Sequence, residues 1–448
     1  MRFKALLIIL TLLSHLPIAA QSADFPTLDA LSELDVPYYS YEDMIRRISH
    51  SDIRFTPASS PPVYQVGDRE SFYLPVDDSY EGVAQTFELR AMTDQVLIWV
   101  EESAPYSHRR AQRLAEHVES RIILPLQDLF QYEEPPGVDG DPRLTIAMIL
   151  APDLSTAGFF PPWHALSRKA SDDSNQREMI MVNLAFDEQY DNFDQYLAEL
   201  IAHEYQNILM YHRDKNEDLW LEEAFSSYAQ HYTSGRGHGF DGVYQSVDAF
   251  LAAPSTPLVN WEAGVELPPK YGAGALFMIY LAENFGDDVI TQLYAESADG
   301  WRAVDKVMRE YAGLSADEVF ANWALANYFL DADRGYGYPA TDSLLSPPQP
   351  RITLRSYPAA HSGSLEQYSS DYLALDLRGA DKLSLRLTQA EEARLLYTPP
   401  FEGDHFYYAV AETTSNPKLT REIDLRSVRW AELEFRIAFE LKSHLEFA

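Results

Sequence analysis

A chain of 448 residues with 69 acidic against 35 basic side chains carries a formal charge of −34 and contains no cysteine. Such a field repels nucleic acid and anionic lipid surfaces, so neither is an expected partner. Without cysteine there are no disulfides and no thiolate metal sites; any metal must be held by His, carboxylate or amide oxygen, and the fold, long enough for two or three domains, must hold through its core.

Residues 1–22 begin with Arg2 and Lys4, continue through an apolar run from Ala5 to Ile18 and end in the small residues Ala19-Ala20. That is the pattern of a secretory signal peptide. The run is short and broken by His15 and Pro17, which argues against a membrane anchor. A secreted or extracytoplasmic protein, not inserted in a membrane after cleavage, is expected. Residues 23–100 form an N-terminal extension and β region: Asp24 to about Ser60 is irregular and rich in Pro, Ser and Asp, and from Tyr64 the alternation of VYQVGDRESFYLPVDD, VAQTFELRAM and DQVLIWVEE predicts strands. Ser107 to Phe130 is amphipathic and helical, bent or ended near Pro125. Asp139-Gly140-Asp141-Pro142 is a turn, where a calcium site is weighed against carboxylates that serve the turn itself. Arg143–Leu150 and Met179–Phe186 are strands, and the aromatic, Pro-rich loop between Ser155 and Arg177 is long enough to be a cleft wall.

The central stretch, Tyr196 to Gln230, reads YLAELIAHEYQNILMYHRDKNEDLWLEEAFSSYAQ. On a helix, His203 and Asn207 share one face, a turn apart, with Glu204 beside them. A second helical pattern, WLEEAFSSYA, carries Glu222 and Glu223, either of which could turn back toward His203. A His-Glu-x-x-His helix followed by a Glu from a second helix builds the site of one large group of zinc hydrolases; here Asn207 stands in place of the second His. Helical patterns continue to about Leu330, residues 336–350 form a linker rich in Pro and Gly, and alternating runs over 351–448 predict a β-sandwich.

AHEYQNILMYHRDKNEDLWLEEAFSSYA resembles the gluzincin signature of secreted immune inhibitor A-like and hyicolysin-like metallopeptidases, in which HE(F/Y)QH is followed by NE-x-x-W-(V/L)-(N/D)-E-G. PGVDGDPRLTIAMIL, YGAGALFMIYLAENFG and FANWALANYFL are similar to further segments of that family, so the resemblance covers about Val63 to Tyr338. WLEEAFSSY is also similar to a segment of aminopeptidase N-like enzymes. The resemblance implies an α+β chain whose residues 101–335 form a zincin-like metallopeptidase domain of β-sheet plus helical lobe. It implies a zinc ion held by His203, Glu223 and the residue at 207, Glu204 as the base acting on water, and Tyr271 as a donor to the developing oxyanion. His231 and His238 are further polar candidates, each expected at the surface.

The substitution at 207 departs from the family. An amide oxygen is neutral and weakly basic, so replacing an imidazole by one costs several kcal/mol out of the roughly 10–16 kcal/mol of a tight zinc site. Three readings follow: a zinc peptidase hydrolysing peptide bonds with weak help from Asn207; an inactive pseudopeptidase binding peptides or proteins in the old cleft; and a surface protein whose C-terminal β domain does the work.

Overall fold

The computed structural model describes residues 5–10, 45–46, 422–437, 407, 419 and most of 58–388, omitting 59, 79–81, 133–135, 190–192, 235–240, 262–266, 378 and 380–381. Strand β1, Ala5–Leu10, is the opening of the apolar run predicted to be an export leader. The main sheet comprises β2 (Arg69–Pro75), β3 (Gly82–Met92), β4 (Val96–Glu101), β5 (Leu144–Ile149), β6 (Gly158–Phe159) and β7 (Met179–Asn183), in the order β2-β3-β4-β5-β7-β6. The first three are antiparallel, β4, β5 and β7 run parallel, and β6 returns antiparallel along β7. Strands before residue 101 and after it therefore share one sheet.

Both faces of that sheet are covered. Val96, Ile98 and Val100 enter the core shared with the helices, whereas Leu97 and Trp99 enter a second core with Phe72, Phe87 and Met181. A strand buried on both sides reads as a continuous apolar run, so VLIWV and LTIAMI are apolar throughout; the strand expected in DQVLIWVEE is present, but not with the alternation from which it was expected.

Helix α1 (His108–Val118), capped by the Ser107 side chain, passes through one wider turn (Glu119–Ile123) into α2 (Leu124–Phe130). Pro125 sits in the first turn of α2, where its missing N–H is tolerated. The helical lobe follows: α3 (Phe193–Arg213), α4 (Leu219–Ser234), α5 (Asp241–Ala252), α6 (Leu267–Phe285), α7 (Asp287–Ala295), α8 (Gly300–Ala312) and α9 (Ala316–Phe329). Among the described residues no helix is long and apolar enough to cross a membrane.

Beyond the lobe, β8 (Ile352–Leu354) pairs parallel and β1 antiparallel with β9 (Ser370–Leu375). Tyr372 anchors β9 on α9 by donating to the Ala324 carbonyl (2.8 Å). Tyr338, in the segment predicted as a linker, is fully buried and its hydroxyl donates to Asn327. The sandwich predicted over 351–448 is not shown. Residues 382–388 and 422–437 contain no strand, and Leu385, Leu387, Trp430 and Leu433 are exposed there; RLLYT lies outside the described residues, as does HFYYAVAE apart from Tyr407.

The Asp139-Gly140-Asp141 loop serves its own turn. Asp139 accepts from the Asp141 N–H (3.0 Å), and Asp141 takes the Arg143 guanidinium at 2.8 and 2.7 Å. The loop 155–177 folds around a buried imidazole. His164 Nδ1 accepts from the Asn175 N–H (3.1 Å), and the His164 carbonyl accepts from the Arg177 N–H (2.7 Å).

Helices α5 and α6 approach closely at Gly272, where a Cβ would lie 1.9 Å from the Ser246 carbonyl oxygen. Gly272→Ala must push the helices apart. A loss of about 1–3 kcal/mol is expected in urea denaturation; a variant as stable as wild type would mean that the contact is slack.

Burial depresses His164 to about 3, against a weaker upward pull from the Asp173 backbone. An unfolded His titrates near 6.5, at roughly its unperturbed value. Between those two values the unfolded chain binds a proton that the folded one does not, so stability is full above about pH 6.5 and drains as pH falls toward 3. His164→Gln is expected to lose less stability than wild type between pH 7 and pH 4.5. Equal losses in the two proteins would show that this imidazole does not drive the acid limb.

Candidate active site

The turn between α3 and α4 sets how they face each other. The Glu217 carboxylate accepts from the N–H groups of Asp218 (2.6 Å) and Gly300 (2.7 Å), and Asn216 donates to Asp299 (3.2 Å). These bonds tie the turn to the start of α8 and fix where α4 begins.

With that start fixed, Glu223 comes to His203: its Oε2 lies 3.2 Å from the imidazole Nε2. Glu223, rather than Glu222, meets the ring. Burial works against a charged imidazole, but the hydrogen bond and charge of Glu223, helped by Glu204 and Gln230, push His203 up to about 9. The Glu222 carboxyl is pushed up to about 7 by burial and then by the charge of Glu223.

Glu204 is 8% exposed, and its Oε2 accepts from the Phe160 N–H (2.9 Å) and from Asn207 Nδ2 (3.3 Å). Phe160 directly follows β6, so the loop predicted as a cleft wall does reach the site. Gly158 permits this approach, since a Cβ there would lie 2.6 Å from Leu200 of α3 and 2.9 Å from the Met181 carbonyl oxygen of β7. Burial pushes the Glu204 carboxyl upward, and the charge of His203 pulls it back only in part.

Asn207 is engaged at both ends of its amide. Its nitrogen donates to Glu204, and its oxygen accepts from the Ser226 hydroxyl of α4. The Ser226 oxygen also lies within reach of Gln206 Oε1 and the Glu222 carbonyl. A hydroxyl has one proton, so these three acceptors compete for it. Gln206 is fully buried and its Nε2 has no partner. Turning that amide end for end makes a directed chain, Gln206 to Ser226 to Asn207 to Glu204, in which every link has a donor and an acceptor.

Tyr271 stands in the first turns of α6, its ring centroid 6.1 Å from that of His203 and 5.1 Å, edge-on, from that of Trp261. Burial, then the carboxylates of Glu223 and Glu204, push its phenol well above the usual range. The structure thus brings His203, Glu204, Asn207, Glu223 and Tyr271 together. His231, expected at the surface, is buried 3% exposed between Tyr228 and Tyr244; His238 lies outside the described residues. Sequence reasoning missed Ser226, Gln206 and the Phe160 N–H, whose roles depend on pairings between elements. It also missed Glu199, which lines the cavity beside His203 and was legible as a carboxylate one helical turn earlier.

Among the described residues no group of three or more His, Asp or Glu stands close enough together to hold a metal ion. His203 and Glu223 are good donors, but at the third position the amide oxygen is taken by Ser226 and the amide nitrogen is itself a donor. Catalytic zinc sites use three protein ligands and leave one position open. This donor set does not fit such a centre.

No protein-family model matches the sequence. The chain is similar to the neutral metalloprotease ShpI of Staphylococcus hyicus, with 21% identity over 267 residues, 56% of this chain and 60% of the relative. The chain therefore matches somewhat more than half of that relative's length.

Proposed function

We propose that this is an exported, metallopeptidase-like protein that retains a peptide-receiving cleft but, having lost the third metal ligand, binds peptides or proteins rather than turning them over. The observation that carries this reading is the commitment of Asn207 to Ser226 and Glu204, which leaves only His203 and Glu223 as metal donors, already paired with each other at 3.2 Å. Similarity to a neutral metalloprotease supports the metallopeptidase-like part. The leader-like residues 1–22 and the charge of −34 support export.

The competing reading is a zinc peptidase that hydrolyses peptide bonds, with His203, Asn207 and Glu223 on zinc, Glu204 as base and Tyr271 as oxyanion donor. One observation favours it. Glu204 is held beside His203 by two hydrogen bonds, with its carboxyl raised by burial, and a protein that only binds has no chemical need for that residue. The reading requires Asn207 to turn its oxygen away from Ser226.

Zinc per chain, measured by elemental analysis after dialysis without chelator, separates the two. Wild type is expected well below one zinc per chain, and Asn207→His near one, with affinity at least about a hundredfold higher as an imidazole replaces an amide. Near one zinc in wild type, together with hydrolysis of a casein substrate, would overturn the binding-only reading.

A further inference from the structure

We propose that β1 is a placeholder: when the leader is removed, the β9 edge that it covered is taken by residues 383–388, which fold back on β9 as a hairpin. This rests on the export reading, in which residues 1–22 are cleaved.

β9 is the middle strand of its sheet, with β8 on one side and β1 on the other. The Arg351 N–H donates to the Tyr372 carbonyl (2.8 Å) and the Asp376 N–H to the Leu354 carbonyl (2.9 Å), so the even-numbered backbone groups of β9 face β8. Alternation then turns the N–H and C=O groups of Asp371, Leu373 and Leu375 toward β1, where the antiparallel register sets Ile9, Leu7 and Ala5 opposite them. Those three residues of β9 are buried. Removal of the leader takes away their backbone partners, and a strand edge bared in this way is a template for another strand.

The chain carries its own replacement. KLSLRLT, residues 382–388, alternates apolar and polar but contains no strand, and Leu383, Leu385 and Leu387 are 41%, 54% and 67% exposed. So short a connection from β9 returns the chain antiparallel, the direction in which β1 lies on β9. A loop of residues 377–381 sets Leu383, Leu385 and Leu387 opposite Leu375, Leu373 and Asp371, the positions that Ala5, Leu7 and Ile9 hold. Gly379, with φ +82°, lies inside that connection and supplies the left-handed conformation that hairpin loops use. Lys382 and Arg386 would blunt the new edge against further pairing.

β1 and residues 383–388 compete for one edge and cannot both pair with β9. The leader, apolar at every position of β1, therefore keeps this small sheet from closing on the C-terminal side until it is removed.

The test is hydrogen exchange, read by mass spectrometry on the uncleaved chain and on the chain that begins at residue 23. Residues 383–388 are expected to exchange at least about tenfold more slowly in the cleaved chain, while β9 stays protected in both. Leu385→Pro removes an N–H that the register aims at Leu373. In the cleaved chain it is expected to speed β9 exchange at least about tenfold, with no change in the uncleaved chain and none at β5 in either. Leu385 is exposed and outside any strand while β1 is in place, so the uncleaved variant reports whether the fold itself survives the substitution. Equal exchange of residues 383–388 in the two chains, or a β9 indifferent to Leu385→Pro after cleavage, overturns the hairpin while the export reading stands. An intact mass of the secreted protein that still includes residues 1–22 overturns the export reading and the exchange of strands with it.

Discussion

A partly buried imidazole–carboxylate pair, His203 with Glu223, is the contact on which the arrangement of the site depends. Removing one partner of such a pair leaves the other uncompensated, so the pair holds the facing surfaces of α3 and α4 to one mutual register. The surrounding carboxylates are then handled differently. Glu204 stays hydrogen-bonded to a backbone N–H and an amide, whereas Glu222 moves toward its neutral form, with its carboxyl pushed up to about 7 by burial and the charge of Glu223. Burial raises both carboxyls, and at Glu204 the charge of His203 and two donors hold the rise back in part.

That register is built from outside the site. Glu217 and Asn216 pin the α3–α4 turn to the beginning of α8, which decides the residue at which α4 starts and hence which glutamate meets His203. Two glycines set the other distances. Gly158 lets β6 lie against α3, bringing the Phe160 N–H to Glu204, and Gly272 lets α6 lie against α5, bringing Tyr271 toward His203. Neither glycine carries chemistry. Each removes a side chain where two backbones must nearly touch, and the polar groups fall into place as a consequence.

How much of this was legible follows from the range of each interaction. The outer strands of the main sheet alternate, its central strands are short continuous apolar runs, and the helices of the lobe follow a period of 3.6; all are local patterns whose positions could be read from the chain. His203 and Glu204 were legible because helix spacing is local; the residues alone left Glu222 and Glu223 as alternatives, the resemblance pointed to Glu223, and it is Glu223 that lies 3.2 Å from His203. The role of Asn207 was not legible. Whether an amide points its oxygen or its nitrogen into a site depends on partners, and one of them, Ser226, is 19 residues away on another helix. The C-terminal runs show the converse. KLSLRLT alternates as a strand should, yet Leu383, Leu385 and Leu387 are exposed, because alternation announces only that a strand could be half-buried and does not supply the strand beside it.

An amide rather than an imidazole at position 207 bears on more than the affinity for a metal. A divalent ion would balance two carboxylates at once, Glu223 as ligand and Glu204 as neighbour. Among the described residues, His203 is the basic group that faces Glu223, and a proton on its ring sets one positive charge 3.2 Å from that carboxylate. Glu204 and, one turn earlier on α3, Glu199 stand at the cavity beside that pair. Asn207 cannot take up a proton as an imidazole would; its amide instead donates to Glu204 a hydrogen bond that stabilises the charged form without neutralising it.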